Sequence, residues 1–200
     1  MLFTKAAIMS IIYFLPISLA AYISPLSIEG QSVPDRWFHM ILDEPVANTS
    51  LSVSETRSDL EKRTPITACG ALQVTTNCLV IANIVLPLVK SIAGGIKELS
   101  NQHDCRVMSG PIDGISWSYH STGAHCDTTA QLDTISGAIK KYPDKSEHYK
   151  VCGTQCLCLD HGGTWNGWLK FGPAEGFNKN AYCGPGLSFS GCISGGNNDI

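Results

Sequence analysis

Nine cysteines occur in this 200-residue chain, and none of them lies before Cys69. That density is high for a cytosolic protein and suits a domain closed by disulfides in an oxidising compartment. The cysteine-free part ends in the polar stretch Asp59-Leu60-Glu61-Lys62-Arg63-Thr64-Pro65. Its dibasic pair Lys62-Arg63 is read as the cut site of a kexin-type processing protease of the secretory pathway. What precedes the pair is expected to be disposable, and residues 64–200 are expected to be the working protein. A core of that size folds without staples, so the bridges are expected to add resistance to proteolysis and low pH.

The start of the chain supports the same layout. One basic residue, Lys5, precedes an apolar run from Ala6 to Leu19 that ends in small residues. This is the pattern of a secretory signal peptide with cleavage after Ala20. The run is shorter than the ~20 residues that span a bilayer and contains Pro16, which argues against a membrane anchor. Residues 21–63 are rich in Ser, Pro, Glu and Asp, with one small apolar cluster at Trp37-Phe38-His39-Met40-Ile41-Leu42. Such a stretch cannot bury enough apolar surface to fold alone. It carries the N-glycosylation sequon Asn48-Thr49-Ser50. The predicted organisation is a signal peptide over 1–20, a propeptide over 21–63 and a secreted cysteine-rich domain over 64–200.

After Arg63 there are nine Lys and Arg against ten Asp and Glu, with five of the six histidines. No basic stripe interleaved with aromatics is present, so nucleic acid is not an expected partner. The histidines would add positive charge in a mildly acid medium, or they serve as ordinary surface and core residues.

Residues 64–89 carry no charge, and Cys78 to Val89 is nearly all apolar. Ile92, Ile96 and Leu99 continue the run at helical spacing. The reading is a buried apolar helix. Its rival is a membrane-active segment formed by Leu79, Val80, Ile81, Ile84, Val85 and Leu86, kinked at Pro87 and hinged at Gly94-Gly95. Further on, Ile115, Trp117 and Tyr119 alternate with Ser116, Ser118 and His120, which predicts a half-buried strand. A central helix is predicted over 127–141, capped by Asp127 or Thr128. Leu132, Ile135, Ile139 and Tyr142 form its stripe, Lys140-Lys141 close it and Pro143 stops it. The lysine pair is also a second candidate cut site. From His148 onward, Tyr149–Cys152, Gln155–Asp160 and Trp165–Phe171 read as strands joined by glycine turns. The expected fold class is α+β: a small disulfide-stabilised domain with an apolar N-terminal helix, a central amphipathic helix and a C-terminal antiparallel sheet.

All nine cysteines, Cys69, Cys78, Cys105, Cys126, Cys152, Cys156, Cys158, Cys183 and Cys192, are disulfide candidates. Short separation favours Cys69 with Cys78, Cys105 with Cys126 and Cys183 with Cys192, and an odd number leaves one thiol over. Cys152, Cys156 and Cys158 with His161 offer a Cys3His set, but the spacing is unlike a zinc knuckle and an oxidising compartment favours disulfides. No metal or cofactor is expected. His103-Asp104-Cys105 lacks the calcium loop that a secreted phospholipase needs. His120, His125 and Asp127 lie close together in sequence, and Ser188 sits in a glycine-rich stretch, yet Ser190 occupies the place where a hydrolase elbow needs glycine. No pattern pairs a nucleophile with a base, so an enzyme is not the expected reading. Trp117, Trp165 and Trp168 are the candidates for a sugar-stacking platform, although residues three apart in one strand face opposite sides.

The run Gly153–Trp165, the segment Ser121–Ala130 and the tail from Tyr182 to Asp199 together resemble a group of secreted yeast proteins of the killer-toxin type. The group includes the Klus killer toxin and its chromosomally encoded relatives, condition-specific secreted proteins of budding yeast. The resemblance covers about residues 115–199 and implies extracellular delivery and, for the toxic members, killing of competing yeast. It carries no functional residue across. The expected function is therefore a killer-toxin-like secreted effector acting at the wall or membrane of competing cells. A non-toxic wall- or glycan-binding protein and a small secreted hydrolase are the alternatives.

Overall fold

The computed structural model describes residues 27–43, 78–123, 126–146, 148–163, 165–189 and 192–200, with the side chains of Ser146 and Cys192 left aside. Ala20, Asn48, Lys62, Arg63, Cys69 and His125 lie outside the described residues. In chain order the elements are β1 (Ser27–Ile28), β2 (Gln31–Ser32), β3 (Arg36–Asp43), β4 (Cys78–Val80) and α1 (Val85–Asn101). Then follow β5 (Met108–Ile112), β6 (Ile115–Thr122), α2 (Leu132–Ser146), β7 (Lys150–Cys152), β8 (Gln155–Asp160), β9 (Asn166–Pro173) and β10 (Cys192–Gly196), with a final 3-10 turn at Asn197–Asp199.

Six strands form one mixed sheet in the order β10-β3-β8-β9-β6-β5. The ladders β8-β9, β9-β6 and β6-β5 are antiparallel, whereas β3 runs parallel to both β10 and β8. Two small antiparallel pairs, β1-β2 and β4-β7, lie outside it. This overturns the expected architecture of an apolar N-terminal helix ahead of a simple antiparallel sheet. The described chain opens on strands, and Cys78–Val80 is itself a strand, paired with Lys150–Cys152.

The largest departure is β3, from the stretch expected to be disposable. Its neighbours on both sides are strands from the other end of the chain, Cys192 to Gly196 against His39 to Asp43 and Gln155 to Asp160 against Arg36 to Ile41. The run Trp37-Phe38-His39-Met40-Ile41-Leu42 is fully covered on the helix side, and on the other side at Trp37, while His39 is half-buried and Ile41 exposed. Phe38, Met40 and Leu42 are buried on the helix side and Trp37 on the other. Each contributes about 1.5–3 kcal/mol of burial. Ordering eight residues costs about 1–2 kcal/mol each, so the strand holds only because ladders on both edges also satisfy its backbone.

One face of the sheet carries both helices. α1 buries Val85, Leu88, Val89, Ile92, Ala93, Ile96 and Leu99. Pro87 falls in the first turn, where its missing N–H removes no intrahelical bond, and the helix runs unbroken through Gly94-Gly95. The candidate membrane segment is thus divided: Ile81 and Val85 are core, Leu79 and Ile84 are half-buried against it, and Val80 and Leu86 are exposed.

α2 lies over β10 and β3. Ile135, Ile139 and Tyr142 are buried as the stripe predicts, whereas Leu132, at the first helical position, is exposed; the Tyr142 ring sits 4.6 Å from that of Phe38. The helix begins at Leu132 rather than 127, because Thr128 Oγ1 accepts the Ala130 N–H and Thr128 N–H donates to Ser100 Oγ, holding 126–130 in a loop against α1. It also passes Pro143 and ends at Ser146. Lys140 and Lys141 reach Asp199 of the terminal turn, Lys141 Nζ at 3.3 Å from its carboxylate.

The contact of α2 with β10 is so close that a Cβ on Gly137 would overlap the carbonyl of Gly196, whereas one on Gly94 would meet nothing. Alanine gains up to ~1 kcal/mol over glycine in an open helix. Denaturant melts should therefore show Gly94→Ala stabilised by about 0.5–1 kcal/mol. Gly137→Ala should be destabilised by about 1–3 kcal/mol from overpacking.

Candidate functional site

Among the described residues the second face of the sheet carries no helix. It is covered by the β1-β2 hairpin and the tail after β9, through Ile28, Val33, Tyr182, Leu187 and Phe189 packed on Trp37, Cys156, Cys158 and Trp168. The disulfide Cys156–Cys183 ties β8 to that tail. Two further bridges join Cys78 to Cys152 across β4 and β7, and Cys105 to Cys126. Of the three pairings that short separation favours, Cys105–Cys126 is formed, whereas Cys69–Cys78 and Cys183–Cys192 are overturned, because Cys78 and Cys183 take partners 74 and 27 residues away. Sheet register brought these together: Cys78 and Cys152 are direct cross-strand partners. In the loop-entropy account each bridge contributes about 3–4.5 kcal/mol, whichever pairing the chain adopts.

The tail stops short of β5 and the outer half of β6, and there the second face opens into a pocket of about 850 Å³. Its floor is the polar set of the β6 alternation. Ile115, Trp117 and Tyr119 point into the helix-side core, which turns Ser116, Ser118 and His120 outward. Ser118 faces Lys170 across the β6-β9 ladder and His120 faces Trp168. The tail residues Phe177 and Tyr182 form one wall, and Glu29 and Gln31 of the hairpin another.

Lys170 is the unusual member. It is 9% exposed, and its Nζ donates to the carbonyl oxygens of Lys179 at 2.6 Å and Ala181 at 2.7 Å. No carboxylate among the described residues pairs with it. Burial lowers its pKa from the ordinary lysine value. Two carbonyl dipoles partly compensate a buried ammonium, and its third donor is left for a ligand in the pocket. His120 is held below its usual 6.5, first by burial and then by the Lys170 charge. A pocket with a cation, an imidazole and serine hydroxyls on its floor and a half-exposed phenyl ring on its wall suits a polar, hydroxyl-rich or anionic ligand.

Among the described residues the catalytic candidates His120, Asp127 and Ser188 do not assemble; His125 lies outside them. Ser188 accepts the Trp37 indole N–H through its carbonyl at 2.7 Å, beside β3. His120 on β6 is three strand spacings from β3, about 14 Å at the usual ~4.8 Å spacing. Asp127 instead lies 3.3 Å from His103, on the exposed side of the Cys105–Cys126 bridge. The Cys3His set is dispersed as well: Cys152 and Cys156 are in disulfides with other partners, and His161 Nδ1 is 3.3 Å from Thr129 Oγ1. The three tryptophans make no platform, since Trp117 and Trp165 are buried on the helix side and Trp168 on the other, its indole donating to Thr122 Oγ1. A contact the sequence reading passed over is His39 Nε2, 3.0 Å from Asp160 Oδ2 on the neighbouring strand. Asp160 Oδ1 also accepts the Gly162 N–H and so fixes the β8-β9 turn.

Fold and site together define, among the described residues, a disulfide-bonded protein with two helices on one face of a mixed sheet and a ligand-sized pocket of mixed polar and apolar lining on the other. The chain belongs to a family of unknown function, DUF6736, which matches residues 56–182. β3 and β10 lie outside that span. No curated protein and no solved structure matches the chain. The disulfides fit an oxidising compartment, and among the described residues no helix is long and apolar enough to cross a membrane.

The depressed pKa of His120 sets a sign. Between its folded value and 6.5 the unfolded chain binds the proton and the folded chain does not. Its contribution to stability is complete above about pH 6.5 and falls as the pH drops through that value toward the lower folded one. An NMR titration should place the His120 midpoint below 6.5. Lys170→Met should raise its pKa, and an unchanged midpoint would remove the ammonium as a cause.

Proposed function

We propose that this is a secreted, killer-toxin-like effector that acts at the outer surface of a target cell by binding a polar wall glycan. The observation that carries the reading is the pocket beside the tail, with the buried Lys170 ammonium on its floor. Secretion is supported by the signal-like start, the dibasic pair and the three bridges. Lys170 with the hydroxyls of Ser116 and Ser118 supplies donors for sugar oxygens, and the ring of Phe177 supplies an apolar wall for a sugar face. Membrane entry by residues 78–99 is the weaker reading, because the apolar face of α1 already packs into the core and its release would unfold the domain. Hydrolysis is disfavoured by the separation of Ser188, His120 and Asp127.

Retention on isolated yeast cell walls tests this. Lys170→Met, in protein shown to be folded by circular dichroism, should reduce retention by roughly tenfold or more, the scale of a lost charge-assisted hydrogen bond. Lys90→Met, which removes an equal charge from an exposed position on α1, should leave retention unchanged. Equal retention of both variants, or release of dye from yeast-lipid vesicles by the intact protein at mildly acid pH, would contradict the wall-binding reading.

A further inference from the structure

Residues 27–43 are bound to the later part of the chain along both edges of β3 and by buried side chains on each of its faces. β3 has a parallel ladder on each edge, buried side chains on both faces, and fixed flanks. Asp35 donates its N–H to Thr154 O at 2.8 Å, and its Oδ2 accepts the Thr154 N–H at 2.6 Å. Ser32 O accepts the Tyr182 N–H at 2.7 Å, and the Trp37 indole donates to Ser188 O at the same distance. Yet no covalent cross-link is open to this segment, because residues 1–63 contain no cysteine. In sequence, Lys62-Arg63 falls between β3 and β4.

We propose that residues 27–43 stay seated between β8 and β10 when the chain is cut at Arg63. The cut protein is then a two-chain assembly whose N-terminal chain is a permanent, non-covalently held strand. The cleft between β8 and β10 accepts a parallel strand on both edges. Its occupant is set by pockets for alternate side chains: Trp37 enters the tail-side cluster, while Phe38, Met40 and Leu42 enter the helix-side core. Withdrawal would expose two sheet edges at once and strip Tyr142 of α2 of the Phe38 ring. It would also remove Glu29 and Gln31 from the pocket wall. The proposal stands independently of which ligand the pocket takes.

The test is cleavage of the purified secreted chain by a kexin-type protease, or by a sequence-specific protease whose site replaces Lys62-Arg63, followed by size-exclusion chromatography and intact mass. Under native, non-reducing conditions the peptide ending at Arg63 should co-elute in equal amount with the chain beginning at Thr64. Urea alone, without reductant, should release it. Elution of the peptide by itself under native conditions overturns the proposal, whether the remainder stays folded or precipitates. Met40→Ala, at a fully buried position, should speed release from the cut protein by roughly tenfold or more. An unchanged release rate would mean that the strand is not seated as described.

Discussion

The parallel pairing of Arg36–Asp43 with strands from the last fifth of the chain on one side and Gln155–Asp160 on the other is the constraint on which the remaining architecture depends. α2 packs across β3 and β10, and Tyr142 fits between the rings of Phe38 and Phe171. Lys140 and Lys141 meet Asp199 only because β10 has been brought to that edge by β3. Parallel pairing on both edges demands long connections, and ladder bonds must be satisfied on both sides at once.

The second face shows how covalent and non-covalent restraint divide the work. Cys156–Cys183 anchors the tail over β8, Trp37 holds Ser188 and Lys170 holds the carbonyls of Lys179 and Ala181. The same lysine thus fixes the pocket wall and charges its floor. Compensating a buried ammonium with two carbonyl dipoles rather than a carboxylate is an uncommon solution, and it leaves charge available to a ligand.

Elements whose partners are near in sequence were legible. The alternation Ile115 to His120 specified both the strand and which side chains face outward, and the stripe Ile135, Ile139, Tyr142 specified the buried face of α2. Short separation identified Cys105–Cys126 but misassigned the partners of Cys78 and Cys183. Elements fixed by distant register were not legible. The run Trp37–Leu42 lacks a period of two in its apolar residues, since Trp37 is buried on one face, Phe38, Met40 and Leu42 on the other, and Ile41 is exposed; it sits among polar residues, so it read as an isolated cluster, and its β8 partners lie well over a hundred residues away. Cys78–Cys152 and Cys156–Cys183 depend on that same long-range arrangement. The pocket did leave a trace: Lys170 interrupts the apolar strand Trp168-Leu169-Lys170-Phe171, and a charge at such a position requires a buried partner or a site.

Hydrogen exchange of the intact, uncut chain followed by mass spectrometry tests the central claim most directly. Peptides covering 36–43 should be protected to the same degree as those covering 155–160, since each amide of an interior strand opens only with the sheet. Exchange of 36–43 at the rate of an unstructured peptide, beside protected 155–160, would show that the sheet forms without this strand and would contradict the account.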